Sequence, residues 1–229
     1  AVMAGEKIEA DWTGTIGTGS VMLTEVNEAA AAAGTVEKLE EVKAALDTIL
    51  AEFGKVDILI NNAGGGTSMP ILEMTDEAYF KDINTDLLGL FKCLREFGKV
   101  MVKQGHGRII NIASILGLVG ENGVPVAGYQ SAKGGVVNLT RCAATELATT
   151  GVTVNAICPG FFPSESNGPA EMEAMDSFIR INTPMDRPGL PSELDKVGEL
   201  EGAAVFLASD EASYVTGAIL PVDGGWTCH

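Results

Sequence analysis

The sequence predicts an α/β chain built on an open, doubly wound parallel sheet with helices on both faces. Long stretches carry apolar residues at three- and four-residue spacing, and short, almost wholly apolar runs separate them. The two kinds of segment alternate from about residue 36 to the end. Strands that are apolar throughout are covered on both faces, and interleaving them with helices implies right-handed parallel βαβ units. Sheets of this Rossmann-like kind carry ligands at the carboxyl ends of their strands, so chemistry is expected there.

Val36, Leu39, Val42, Leu46, Ile49, Leu50 and Phe53 predict an amphipathic helix over 36–53, stopped by Gly54. Val56–Ile60 follows as a buried strand. Residues 76–103 read as helical, either as one long helix or as two pieces with a break. The turn Gly105-His106-Gly107 leads into a second strand, Arg108–Ala113. The pattern continues with a helix near 129–149, a strand Thr153–Ile157, a helix near 199–208 and a last strand Ala218–Val222. Residues 161–198 interrupt it with Pro163, Pro169, Pro184, Pro188 and Pro191 and a Met-rich helical piece at 171–181. An insertion after a strand's carboxyl end is expected to be a substrate lid, with Met172, Met175 and Met185 as adaptable packing; a plain surface excursion is the alternative.

Composition narrows the partners. At 229 residues a single domain over 1–229 is expected, and 46% apolar with 20% charged residues is ordinary for a globular protein. The formal charge of −16, from 31 acids against 15 bases, argues against nucleic acid and anionic membrane surfaces. Cys93, Cys142, Cys158 and Cys228 are far apart and the histidines are only His106 and His229, so neither zinc nor a disulfide framework is expected. No run is long enough to span a membrane, and Glu6, Lys7, Glu9 and Asp11 spoil a signal-peptide core. A cytoplasmic protein is expected.

Three residues point to proton transfer. Tyr129 and Lys133 stand four apart on a predicted helix and therefore share a face. A phenol is a weak acid, and a nearby ammonium favours its phenolate, so Tyr129 is a candidate acid/base for an alcohol or carbonyl oxygen. Ser114, at a strand's end, is placed to hold the same oxygen. A tyrosine–lysine pair alone is commonplace, but its surroundings are not. Asn61-Asn62-Ala63-Gly64 ends a buried strand, Asn84 falls within a helix, Pro159-Gly160 ends another strand, and Asp223-Gly224-Gly225 follows the last. Asp57, Asp82, Asp86 and Glu96 read as solvated or helix-surface acids.

In that order these motifs resemble the short-chain dehydrogenase/reductase family over about residues 35–228. The resemblance implies that Tyr129 is the catalytic acid/base and that Lys133 assists it while holding the nicotinamide ribose. Ser114 would position the substrate oxygen, and Asn84 would maintain a proton-relaying water path from Lys133. Asn61, Ala63 and Gly64 would line the adenosine side of the cofactor and stiffen the sheet. Pro159 and Gly160 would border the nicotinamide, with Ser164 on its carboxamide. The C-terminal half, including Thr183–Gly189 and Gly202–Gly225, is similar to members acting on sugar acids and polyols, of the gluconate 5-dehydrogenase type. The implied activity is hydride transfer between NAD, with NADP not excluded, and a secondary alcohol or ketone. A homo-oligomer, commonly a tetramer, through the helices near 76–103 and 129–149 is also implied. An enoyl reductase is disfavoured because the resembling enzymes space tyrosine and lysine more widely.

The amino-terminal region departs from that pattern. The nearest phosphate-binding loop is Thr13–Gly19, with Gly14, Gly17 and Gly19 as its glycines, and Glu25 falls where an acid holds the adenosine ribose and would favour NAD. Gly14 to Glu25 is too short for the usual intervening helix, and Ala29–Gly34 leaves no room for a further strand. Three explanations stand: segments of the full polypeptide are missing from this sequence, the protein is a shortened, non-catalytic relative acting as a scaffold or regulator, or the glycines are an ordinary linker.

Overall fold

A computed structural model describes residues 2–3, 35–121, 123–163, 169–191 and 198–228. In chain order its elements are β1 (Val2–Met3), α1 (Leu39–Phe53), β2 (Ile58–Asn61), α2 (Asp76–Ile83), α3 (Leu90–Gln104), β3 (Gly107–Ile112), α4 (Ala127–Leu147), β4 (Val152–Pro159), α5 (Pro169–Asn182), α6 (Glu201–Ala208) and β5 (Ile219–Val222). The expected strands and helices of residues 36–228 are all found, with ends displaced by a few residues.

β2, β3, β4 and β5 lie side by side in that order and are parallel, while the two-residue β1 pairs antiparallel with β2. Their carboxyl ends therefore share one edge. The alternation of side chains along the strands divides the core. Leu59, Ile109 and Val154 pack on one face with Val42, Leu46 and Ile49 of α1, Phe97 and Met101 of α3, and Ala143 and Ala144 of α4. Ile58, Ile60, Ile110 and Ile157 pack on the other with Leu207 and Ala208 of α6. Helices thus cover both faces, as the continuous apolar strands require.

The helix ends follow local chemistry. Thr75 caps α2 by accepting from the Ala78 N–H, and Gly54 and Gly105 end α1 and α3 in the left-handed conformation that glycine adopts without strain. The stretch from 76 to 104 is one helical run interrupted by a π-helical segment, Asn84–Gly89, so both readings of that region were partly right. Wide helical turns of this type are frequent at functional sites.

Candidate active site

The four parallel strands deliver their following residues to one edge. β2 leads into Asn62–Gly66, β3 into Ser114, β4 into Gly160 and β5 into Asp223. Asn61, the last residue of β2, donates to Asn111 of β3 at 2.9 Å, and Asn111 donates to Thr140 of α4 at 2.9 Å. Thr140 in turn donates to the Val136 carbonyl. This buried chain of side-chain bonds ties two strands to the helix that carries Tyr129 and Lys133, a rigid mount for both.

Ser114 is buried immediately after β3, and its hydroxyl oxygen accepts from the Leu116 N–H at 3.1 Å, leaving its own proton free to donate. The short turn Ile115–Gly117 presses against α4, since a Cβ on Gly117 would lie 2.6 Å from the Lys133 carbonyl carbon. Tyr129 is half-buried and packs against the cluster formed by Ile115, Leu116, Val126 and Trp226. Lys133 Nζ lies 5.4 Å from the centre of the Tyr129 ring and donates to the Ile112 carbonyl at 2.9 Å. Tyr129 and Lys133 therefore stand where β3 ends against α4, with Ser114 two residues beyond the carbonyl that Lys133 holds.

Asn84 does not join them. It is exposed on the helical run, whereas Asp86, two residues further on and so on the opposite side of a helix, is completely buried. Asp86 Oδ1 stands 3.3 Å from Lys133 Nζ, and both its oxygens accept from the Gly65 N–H at 3.2 Å. Burial pushes the Asp86 carboxyl above the ordinary carboxylate range, against the opposing pull of the Lys133 ammonium and the Gly65 N–H. Asn84, expected to maintain a water path from Lys133, lies instead on the outer side of the run, and the residue of this run that reaches Lys133 is Asp86.

The surface reading of the helix acids is corrected with it. Asp82, one turn before Asp86, is 2% exposed and accepts from both the backbone N–H and the hydroxyl of Thr67. Glu96 is buried between Arg95 and Lys99 at 2.7 and 2.9 Å, and those bonds hold its carboxyl low. Asp57 is partly covered and pairs with Lys55 at 3.1 Å. A sequence signal was available: Asp82 and Asp86 are four apart, on one helical face.

Gly64 lies against this pair: a Cβ there would fall 2.3 Å from Asp86 Oδ1 and 3.1 Å from Lys133 Nζ. Ala63 packs on the core beneath α1 and α3. Pro159 pairs with Val222, and Gly160 is held so close to β5 that a Cβ would meet Asp223 Cα at 2.8 Å. Asp223 accepts from Gly225 and Thr227; burial pushes its carboxyl up, but these bonds outweigh it and hold the group low. Gly14, Gly17, Gly19, Glu25 and Ser164 lie outside the described residues.

The 161–198 excursion, as far as it is described, folds back over this edge. Phe178 of α5 packs edge-on against Phe161 and tilted against Trp226, with ring centres 6.0 and 5.6 Å away. Met172 and Met175 are half-buried, while Met185 is exposed. A cavity of about 510 Å³ opens beside Gly160, lined by Phe161, Phe162, Thr183, Met185, Arg187 and Asp223 among others. Arg187 grips Glu199 with two bonds of 2.8 and 2.7 Å.

Comparison with known proteins assigns the class that this fold and edge imply. A family model described as Enoyl-(Acyl carrier protein) reductase matches residues 19–227, and the chain belongs to the short-chain dehydrogenase/reductase family of oxidoreductases. A 3-oxoacyl-[acyl-carrier-protein] reductase from Synechocystis is 39% identical over 199 residues, 86% of this chain and 76% of the relative. Among solved structures, a short-chain type dehydrogenase/reductase from Mycobacterium marinum superposes with a TM-score of 0.81 at 32% identity, covering 87% of this chain and 76% of that one. A gluconate 5-dehydrogenase from Burkholderia cenocepacia, solved with NADP and tartrate, does so with a TM-score of 0.77 at 33% identity over 85% and 73% of the two chains. No helix among the described residues is long and apolar enough to cross a membrane.

Proposed function

We propose that this chain moves a hydride between a nicotinamide cofactor and a secondary alcohol or ketone, with Tyr129 as acid/base. The observation that carries this reading is the lysine ammonium fixed beside the Tyr129 ring at the end of β3, where Ser114 emerges. Lys133 has three N–H donors; among the described residues Ile112 and Asp86 engage two, leaving one for a ribose hydroxyl. The exposed Gly65 and Gly66 present no side chain to obstruct a ligand lying along the edge. These residues fit a nicotinamide cofactor, with Asn61, Ala63 and Gly64 towards its adenosine and Pro159 and Gly160 towards its nicotinamide.

The cofactor, when bound, supplies or accepts the hydride; this chain's residues do the rest. In reduction the Tyr129 hydroxyl gives its proton to the carbonyl oxygen while the Ser114 hydroxyl holds that oxygen by a hydrogen bond. In oxidation the proton returns to Tyr129. Lys133 keeps its ammonium beside the ring of that tyrosine, and the proton that Tyr129 gives up in reduction is replaced from solvent between turnovers. The aromatic contacts of Phe178 with Phe161 and Trp226 support the lid reading of 161–198 within a single domain. Exposed Phe80, Leu88 and Phe91 on the 76–104 run fit a homo-oligomer, up to the tetramer.

For the substrate we favour a small polar alcohol such as a sugar acid or polyol, supported by the likeness to the gluconate enzyme. NAD and NADP both remain within the reading. The test is direct: energy transfer to NADH and NADPH on titration, then turnover of gluconate against an acetoacetyl thioester. Tyr129→Phe is expected to lower turnover about a thousandfold while retaining cofactor. Retained turnover would remove Tyr129 from its role, and no cofactor signal would leave the scaffold reading.

A further inference from the structure

Asp82 has no part in the proton transfer just described, yet it is as deeply buried as the residues that do. Among the described residues it joins no ion pair. Its carboxylate is carried into the interior by hydrogen bonds, without which burial of such a group is costly. All of them come from one residue of the loop after β2. The Thr67 N–H donates to Oδ1 and Oδ2 at 3.2 and 3.0 Å, and the Thr67 hydroxyl donates to Oδ1 at 2.9 Å. A carboxylate only accepts, so it suits a partner that offers two donors. On another side the same group lies against Gly128, the second residue of α4: a Cβ there would stand 2.8 Å from Asp82 Oδ2 and 3.1 Å from Asp82 Cβ.

Both contacts lead to Tyr129. Gly128 precedes it in the chain. Gly66, which precedes Thr67, is packed on it, since a Cβ on Gly66 would fall 3.0 Å from the tyrosine Cβ and 3.2 Å from its Cγ. We propose that Asp82 is the positioning residue of Tyr129: it ties the loop after β2 to the first turn of α4 and so holds in place the two glycines that close on the tyrosine. This rests on the reading of Tyr129 as acid/base. The role is one of hydrogen bonding, not of charge. Lys133 stands outside it, because its own bonds go to Ile112 and Asp86. Asp82 therefore governs turnover, through the aim of the phenol oxygen, and not the holding of the cofactor. A reacting group misplaced by about 1 Å can cost about a hundredfold in rate, so a loosened loop is expected to be felt there first.

The experiment measures turnover of gluconate and of an acetoacetyl thioester, and NADH and NADPH affinity by fluorescence, well below each variant's unfolding temperature. Asp82→Ala is expected to lower turnover at least about tenfold and to leave cofactor affinity within about threefold. Asp82→Asn can accept from the Thr67 N–H and donate to the Thr67 hydroxyl oxygen, and is expected to restore turnover to within about threefold of wild type. Thr67→Val, which loses one donor, is expected to lower turnover about fivefold, and Thr67→Ser, which keeps both, to stay within about twofold. In the Tyr129→Phe background Asp82→Ala is expected to cost nothing further, whereas a purely structural carboxylate would weaken both backgrounds alike. Asp82→Ala turnover within twofold of wild type, cofactor affinity falling as far as turnover, or a full further loss in Tyr129→Phe overturns this role and leaves Tyr129 as it stands. If Asp82→Ala does not fold, Thr67→Val against Thr67→Ser decides, and equal turnover in the two overturns the role. Turnover retained by Tyr129→Phe, or none by wild type, overturns the acid/base assignment and this role with it.

Discussion

Two ion pairs border the ligand edge, and they differ in almost every respect. Lys133 and Asp86 are sealed beneath the loop after β2 with a single close contact of 3.3 Å, whereas Arg187 and Glu199 face each other with two bonds and are each 37% exposed. By hydrogen-bond geometry the exposed pair is the better one. Yet water solvates and screens it, so its net contribution is small. Breaking the buried pair strands a charge, which costs about 3–5 kcal/mol in such settings. A pair retained in the expensive place with the looser geometry indicates a requirement other than stability. The lesson extends to the segments that hold the pairs: the 61–133 rim is fixed by buried polar contacts, and the 161–191 excursion by aromatic packing and surface charge.

The sharpest way to break that contrast is to crowd the buried pair. Gly64→Ala places a methyl group 2.3 Å from Asp86 Oδ1. Asp86 is short and enclosed, so the backbone or Lys133 must move. We expect a loss of about 3 kcal/mol of stability, at the upper end for overpacking, together with loss of NADH binding. Chemical denaturation and fluorescence titration measure the two; a variant normal in both would mean that the loop yields freely and the rim is not rigid.

The excursion is expected to respond more mildly and in a different quantity. Phe178→Ala removes a ring packed on Phe161 and Trp226 at the site's margin. The side chain is half-buried, so we expect about 2 kcal/mol of destabilisation, below the range for a fully buried aromatic. The Michaelis constant for substrate should rise while cofactor affinity changes little. Equal weakening of both would show that α5 supports the cofactor side too and is more than a lid.

Much of this arrangement was legible in the sequence, and the exceptions have one cause. Val36 to Phe53 announced a helix by its spacing, and the strands announced themselves by unbroken apolar runs, because burial on both faces leaves little choice of residue. That Tyr129 and Lys133 share a face followed from helical spacing, and the place of Ser114 just after β3 from the end of an apolar run. Asn84 was misplaced because a residue type was matched where the geometry had to be followed. Asp82 and Asp86 share the inward face of the helical run, and Asn84 lies between them on the outside. The same acids were taken for surface residues because an isolated carboxylate is seldom buried; the partners that make burial tolerable, Lys133 and the amides of Gly65 and Thr67, lie far away in sequence or in a loop. Such contacts belong to the tertiary structure.

The smallest expected effect belongs to the exposed pair and carries a sign that can be worked out. The Arg187 guanidinium, with the Leu190 N–H, lowers the Glu199 carboxyl to about 2. A carboxyl depressed in the folded protein contributes stability above its unfolded value, and that contribution disappears as pH falls through the folded one. Wild type should therefore lose a small increment of stability between the ordinary glutamate range and about 2, and Glu199→Gln should lack that increment at neutral pH. Because both side chains are over a third exposed, the difference should not exceed about 1 kcal/mol and should shrink in high salt. Thermal unfolding of both forms across this acid range, at low and high ionic strength, measures it. A larger, salt-insensitive difference would mean that Arg187 and Glu199 act as a buried pair in solution, and the contrast between the two sides of the edge would then fail.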